Sequence, residues 1–206
     1  MVTTERVNGR ACEHAPCGER IVDGGGGRIP RFCSGRCRTA AHRARRAIPA
    51  EMRERRRWVR RDEHKVPLMS RSGRRASPTA PGTWSTRDIA TRSDHGVGLG
   101  YVLRQGDGIV CIDLDHCVHP DGTLAPWAQR IVDQAPATYI ETSPSGTGLH
   151  LWGHGELVRG RRIRRDDGAN IEMYSSGRYI ALGERWQSTP LTLADLTPLI
   201  KELVSL

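Results

Sequence analysis

The chain has 206 residues, with 32 Lys+Arg against 23 Asp+Glu and a formal net charge of +9. No run approaches the ~18 consecutive apolar residues that a membrane span needs, and the first residues hold no apolar stretch of the secretory kind. Six cysteines in a chain of this length are too few for a secreted disulfide scaffold. The expectation is a cytoplasmic protein, one ordinary domain with a small appendage, whose basic balance favours a polyanionic partner and no membrane.

The charge is unevenly placed. Residues 1–65 hold 17 basic and 8 acidic side chains, while residues 66–206 hold 15 of each. Gly, Cys and Arg dominate before this point and alternating apolar segments follow it. Two units are expected, 1–64 and 65–206. Lys65 and Lys201 are the only lysines, a skew that a GC-rich genome would also produce.

In the first unit, Cys12-x4-Cys17-x15-Cys33-x3-Cys37 gives two close pairs, the arrangement of a tetrahedral four-cysteine Zn2+ site. His14 can replace Cys12, giving His14-x2-Cys17, and His42 is a further candidate. The loop at Gly24–Gly27 lets the pairs close. It also leaves little to bury, so the unit is expected to need metal to fold. Ser34 is placed to cap a helix running from Cys37 to Arg46. The string Arg31–Arg38 running into this Ala/Arg helix resembles the small treble-clef-like zinc modules of bacterial and phage proteins. Pro49 interrupts, and a second, Arg-rich helix is expected over 50–63. Its Arg53, Arg56, Arg57 and Arg60 are candidates for phosphate contacts that give affinity without sequence choice. The alternative is a solvated helix offset by Glu51, Glu54, Asp62 and Glu63.

In the second unit, strands are expected at 97–103, 108–115, 138–142, 149–152, 170–174 and 178–182. Helices are expected at 85–92, 125–134 and 193–204. Turn signals at 105–108, 143–146 and 175–177 separate the strands. This is an α+β pattern with a mainly antiparallel sheet. Ile109–Asp115 leads apolar residues into Asp113 and Asp115, which share a strand face at i and i+2. Two such carboxylates repel unless a cation lies between them, and a hard divalent ion takes oxygen ligands of this kind. Haloacid-type phosphatases carry a similar run, but His116 stands where they have Thr or Val. Calcium loops and plain strand ends are further readings. Next comes a Ser/Gly turn, Ser143-Pro144-Ser145-Gly146-Thr147-Gly148, then His150. Small residues let backbone N–H groups approach phosphates, though an ordinary hairpin reads the same way. Third, Glu172 sits among apolar strand residues, where a shared metal or a salt bridge to an arginine would hold its charge.

Taken in order, these elements resemble the catalytic core of the archaeo-eukaryotic primase superfamily. The nearest likeness is to the bifunctional primase–polymerase N-terminal domain of phages and mobile elements. Val110–Asp115 matches that family's hhDhD motif, and Ser145-Gly146-Thr147-Gly148-Leu149-His150 matches its second. Glu172-Met173-Tyr174 with Gly177-Arg178-Tyr179 matches its third. The stretch Lys65–Leu68, Trp84 and Gly98–Leu103 looks like its opening, so the likeness covers about 65–185. It implies an α/β unit joined to an RRM-like sheet, with the active site between them. It implies DNA-directed nucleotidyl transfer with Asp113, Asp115 and Glu172 binding Mg2+ or Mn2+. His150, Ser143, Ser145, Gly146 and Gly148 would hold a nucleoside triphosphate, with Arg178 and Lys65 adding positive charge. The implied partner is a single-stranded or primed DNA template. No G-x4-G-K-[ST] occurs, so any unwinding falls to a separate helicase. A non-catalytic DNA-binding replication-accessory protein and a metal-dependent nuclease are the rival readings.

Overall fold

The computed structural model describes residues 9–14, 16–22, 29–187 and 189–205. The expected glycine loop at 24–27 lies outside them. The chain forms two compact units, Met1–Ala47 and Ile48–Leu206.

In the first unit, β1 (Gly9–Ala11) pairs antiparallel with β2 (Arg20–Val22), and α1 (Gly35–Arg45) follows. Ser34 caps α1 as expected. Its extended backbone (φ −157°, ψ 163°) lets Oγ accept from the Cys37 N–H at 3.1 Å, satisfying a donor that the first turn leaves free.

The second unit opens with α2 (Ala50–Glu54), β3 (Trp58–Arg61) and β4 (Pro67–Leu68). After them come α3 (Arg87–Arg92), β5 (Gly98–Leu103), β6 (Ile109–Leu114), α4 (Pro126–Gln134), β7 (Tyr139–Thr142) and β8 (Leu149–His154). The chain ends with β9 (Arg161–Arg164), β10 (Asn170–Tyr174), β11 (Arg178–Ala181), β12 (Ala194–Asp195) and α5 (Thr197–Ser205). A large sheet runs β12-β8-β6-β10-β9, with β7 also on β8; a small sheet runs β11-β5-β3-β4. All pairs are antiparallel except β12 with β8. The mixed α/β architecture with antiparallel sheets agrees with the sequence reading.

Side-chain parity explains the layers. On β6, Val110, Ile112 and Leu114 face one way and pack with α4 and α5 through Ile131, Leu199 and Leu203. Ile109 and Cys111 face the other way, toward Tyr101 and Leu103 of β5. Both faces of β6 are covered, so its sequence is a near-continuous apolar run rather than an alternation. The edge-on contact Tyr101–Trp152 (5.7 Å) joins the two sheets, and within the small sheet Trp58 stands edge-on to Tyr101 (5.4 Å). The outer face of the small sheet packs Val59 and Val102 against Ala76 and Trp84.

Two differences from the sequence reading have one cause. Residues 50–63 do not form a single helix: α2 stops at Glu54 and β3 follows. Trp58 and Val59 are fully buried on opposite faces of the small sheet, and that burial outweighs the helix preference of the surrounding Arg and Glu. The compact units accordingly divide at Ala47/Ile48 rather than near Lys65, because Ile48, Met52 and Trp58 belong to the core between the sheets. Among the described residues no helix is long and apolar enough to cross a membrane.

Candidate metal centre and candidate active site

Cys12 directly follows β1, with its N–H on the Glu19 carbonyl, and Cys17 closes the turn with its N–H on the His14 carbonyl. Cys33 stands just before the Ser34 cap and Cys37 in the first turn of α1. The four sulfurs lie within 4.8 Å of one another, with Cys17–Cys33 at 3.5 Å and Cys33–Cys37 at 3.4 Å. Sulfurs on a tetrahedral zinc ion, each about 2.3 Å from it, stand at nearly this separation. Backbone N–H groups of Cys33 and His14 bring the Cys12 thiol down to about 7, while the neighbouring thiols push Cys33 up to about 12. Crowded thiols of this kind lose their protons together only to a cation, so the donor set fits a metal. Cys12, not His14 or His42, completes the group.

The second site is a row across the large sheet. The register places Glu141 opposite His150, His150 opposite Asp113, Asp113 opposite Glu172, and Glu172 opposite Arg162. Directly paired residues share a face, so five ionisable side chains from five strands form one line. Two residues back along the strands, the same face carries Tyr139, Trp152, Cys111 and Tyr174, the aromatic layer against the small sheet. The polar row therefore lies where the core between the sheets ends.

Each member of the row has its own surroundings. Glu141 is fully buried and accepts three hydrogen bonds: from His150 Nδ1 (2.9 Å), Trp152 Nε1 (3.2 Å) and Tyr139 OH (3.1 Å). This fixes the imidazole with Nδ1–H on the carboxylate and Nε2 turned to Asp113 Oδ1, 3.6 Å away. Burial works against the imidazolium, but the hydrogen bond and charge of Glu141, helped by Asp113, leave the His150 pKa above its ordinary value. Asp113 Oδ1 is buried and has no hydrogen-bond partner. Burial is the main cause lifting its carboxyl to about 6; His150 pulls it down, and Asp115 and Glu172 push it up. Asp115, just past β6, takes the Asn170 amide at 3.2 Å, and Asn170 Oδ1 is a second buried oxygen without a partner.

Glu172 is differently occupied. It ion-pairs with Arg162 and with Arg178 (3.4 Å) and accepts the Tyr174 hydroxyl at 2.7 Å. Salt bridges to two arginines hold this carboxylate's charge. Among the described residues, the four cysteines are the only group of three or more candidate ligands gathered within 4.8 Å, so Asp113, Asp115 and Glu172 do not close into a cage. Oxygens without partners on Asp113 and Asn170, with the Asp115 carboxylate, fit a hard divalent cation; Glu172 would first have to leave its arginines.

A cleft of about 450 Å³ opens on the row and gathers Lys65, Arg75, Asp113, His150, Glu172 and Arg178. Arg178 also lies over the Tyr174 ring at 4.7 Å. Of the Ser/Gly turn, Pro144 reaches the cleft, but Ser143, Ser145, Gly146 and Gly148 do not line it. Their groups hold the turn: Gly148 N–H donates to Ser143 Oγ (3.1 Å), Gly146 N–H to the Ser143 carbonyl (2.9 Å), and Ser145 Oγ lies 2.9 Å from Ser143 Oγ. Gly148 is fixed by contact, since a Cβ there would stand 2.8 Å from the Leu114 carbonyl oxygen.

The four candidate phosphate-binding arginines separate into two kinds. Arg57 is paired with Asp107 (2.6 Å), and Arg60 donates to the carbonyls of His95 (2.6 Å) and Gly96 (2.9 Å), so both are tied to the fold. Arg53 and Arg56 are exposed. Sequence reasoning missed Glu141, Arg75 and Arg162. The alternation Tyr139-x-Glu141 and His150-x-Trp152 does put the first of these on the aromatic face.

Over 131 residues, 61% of this chain, the sequence is 35% identical to the "DNA Primase-polymerase" of Nitratiruptor phage NrS-1. The chain resembles a phage-type primase-polymerase. It spans 18% of that relative's length. No family model matches the chain.

Proposed function

We propose that this chain carries the nucleotidyl-transfer centre of a DNA primase/polymerase, working on single-stranded or primed DNA with nucleoside triphosphates. The observation that carries the reading is Asp113. Its buried oxygen without a partner opens on a cleft that also holds His150, Lys65, Arg75 and Arg178. The likeness to a phage DNA primase-polymerase supplies the reaction class. The primase-like core, an α/β unit with an RRM-like sheet, belongs to the same proposal.

Asp113 and Asp115 would hold Mg2+ or Mn2+, which when bound supplies activation of the primer 3′-hydroxyl and charge neutralisation on the transferred phosphoryl group. The chain's own groups do the rest. His150, oriented by Glu141, presents Nε2 to a phosphate oxygen. Lys65, Arg75 and Arg178 balance the triphosphate's charge. Glu172 keeps Arg162 and Arg178 at the cleft mouth, and its part as a third ligand requires that it give them up. Ser143, Ser145, Gly146 and Gly148 shape the turn that brings His150 in, an indirect contribution to nucleotide binding. In the first unit, Cys12, Cys17, Cys33 and Cys37 would bind structural Zn2+, and its arginines with Arg53 and Arg56 would hold template phosphates. Unwinding would fall to a separate helicase, and the work would be cytoplasmic.

The test is primer extension and de novo synthesis on single-stranded template with Mg2+ or Mn2+. The expected result is product from the wild-type chain and none from Asp113→Ala/Asp115→Ala. Equal product from both would end the enzyme reading. The ion pairs of Glu172 favour one rival, a DNA-binding accessory protein without catalysis; that rival predicts no divalent-ion binding at Asp113 and Asp115. A nuclease would instead shorten the template without nucleotides.

A further inference from the structure

β9 is the outermost strand of the large sheet, paired to β10 on one side only. It carries Arg161, Arg162 and Arg164, and Arg159 and Arg165 flank it. Charge on an edge strand is a common defence against unwanted pairing, and one or two such residues suffice for that. Here five arginines fall within seven positions.

Their partners decide between defence and binding. Arg162 is matched by Glu172 across the strand pair. Arg161 stands opposite Met173 and Arg164 opposite Asn170, so the neighbouring strand offers them no acid. Arg159, Arg161 and Arg164 are exposed and make no ion pair among the described residues. Like charges packed this closely repel, and nothing on the neighbouring strand relieves them. The edge therefore holds three free guanidinium forks, a donor geometry suited to phosphate oxygens. Val158, directly before Arg159, is fully exposed and offers an apolar surface for a base.

Position adds the direction. Arg162 is two strands from Asp113 in the row, about 10 Å at ordinary strand spacing. Arg162 and Arg164 share the face that bears Asp113 and Glu172. A chain of phosphates crossing the β9 edge would reach the cleft mouth at Arg162 and Arg178, both already held by Glu172.

We propose that the β9 edge is a binding site for the phosphate backbone of a single-stranded polynucleotide, gripped by Arg159, Arg161 and Arg164 and led into the cleft past Arg162. The identity of the polyanion rests on the primase/polymerase reading. The binding itself is measurable without any turnover.

The experiment uses the full zinc-loaded chain and a fluorescent oligo-dT, with binding followed by anisotropy from about 50 to 300 mM salt. Removing one arginine–phosphate pairing should flatten the log K against log salt slope by about 0.7 on a single strand. The triple variant Arg159→Gln/Arg161→Gln/Arg164→Gln is therefore expected to lower the slope by about 2 and to weaken affinity at least tenfold at about 100 mM salt. The Arg→Lys triple keeps the charge and should keep most of the slope. Binding of Mg2+-dTTP should stay at the wild-type level in both. A wild-type slope in the Gln triple overturns the proposal, as does an equal weakening in the Lys triple, which would mark a fold defect. Asp113→Ala/Asp115→Ala should bind oligo-dT normally. If that pair retains synthesis while the Gln triple loses binding, the catalytic reading fails and the edge site stands.

Discussion

Cys12, Ile21 and Ala41 are the buried apolar side chains among the described residues of the first unit, whereas the second buries three apolar clusters built on two sheets. In the first unit Arg10 and Arg31 hold Glu13, all in partial contact with water. The second carries Glu141, His150 and Glu172 into its interior and satisfies each one. Charge follows the same division, with 10 basic and 4 acidic residues in Met1–Ala47 against 22 and 19 in Ile48–Leu206. One unit is thus a basic loop structure that four sulfurs can close around an ion. The other is a self-sufficient core that can bear the cost of an interior polar row. The two should therefore break under different lesions.

Metal removal should give the largest effect, because structural zinc contributes roughly 10–16 kcal/mol of apparent folding energy in small cysteine modules. A strong chelator is expected to abolish hydrogen-exchange protection at Cys12, Cys17 and through α1, while the second unit keeps its protection and its melting temperature. Co-melting of both units would erase the distinction. The reverse lesion is Trp152→Ala, which removes a fully buried ring from the junction of the sheets and one donor to Glu141. A loss of about 3–5 kcal/mol is expected, read by denaturant unfolding of the second unit, with zinc content unchanged.

The same division governs what could be read in the sequence. The cysteines were legible because their chemistry is local: two short spacings name the ligands, and only the turn holding the Cys12 backbone was needed to set aside His14. The β6 strand was legible because five apolar residues cannot stay in water and two acids toward its end need a reason. β3 was not, since Trp58 and Val59 are two residues among arginines and glutamates, and their pull comes from cores assembled far along the chain. β9 was missed because, at a sheet edge, only Ile163 packs inward and the remaining arginines show no alternation. Glu141 could not be singled out from the chain, since its role depends on Tyr139, His150 and Trp152 meeting across β7 and β8. Glu172 was recognised as a charge needing a partner, but Arg162 and Arg178 could be chosen only by the sheet register.

Glu141→Gln sharpens the contrast within the second unit. Glutamine keeps an acceptor for one donor and loses the charge that faces three, so about 1–3 kcal/mol of stability should go. The loss of a negative partner disfavours the imidazolium, so the His150 pKa should fall, measured by NMR of the ring nitrogens. If Glu141 positions His150, apparent affinity for the nucleotide should weaken more than maximal rate. An unchanged imidazole pKa would mean that the buried carboxylate serves only Trp152 and Tyr139.

The smallest effect is expected at Ser34→Ala, and it tests whether the first unit owes anything to its backbone. Ser34 Oγ satisfies the Cys37 N–H and so fixes the first turn of α1, the turn that presents Cys33 and Cys37 together. Loss of such a cap costs about 1 kcal/mol. In the second unit, packing on both faces would absorb that loss. In the first, little else holds the turn, so the cost should pass to the metal as roughly a fivefold weaker affinity, measured by competition with a chelating dye. Unaltered affinity would show that the ion organises the turn unaided, and that helix capping contributes nothing where four sulfurs already set the geometry.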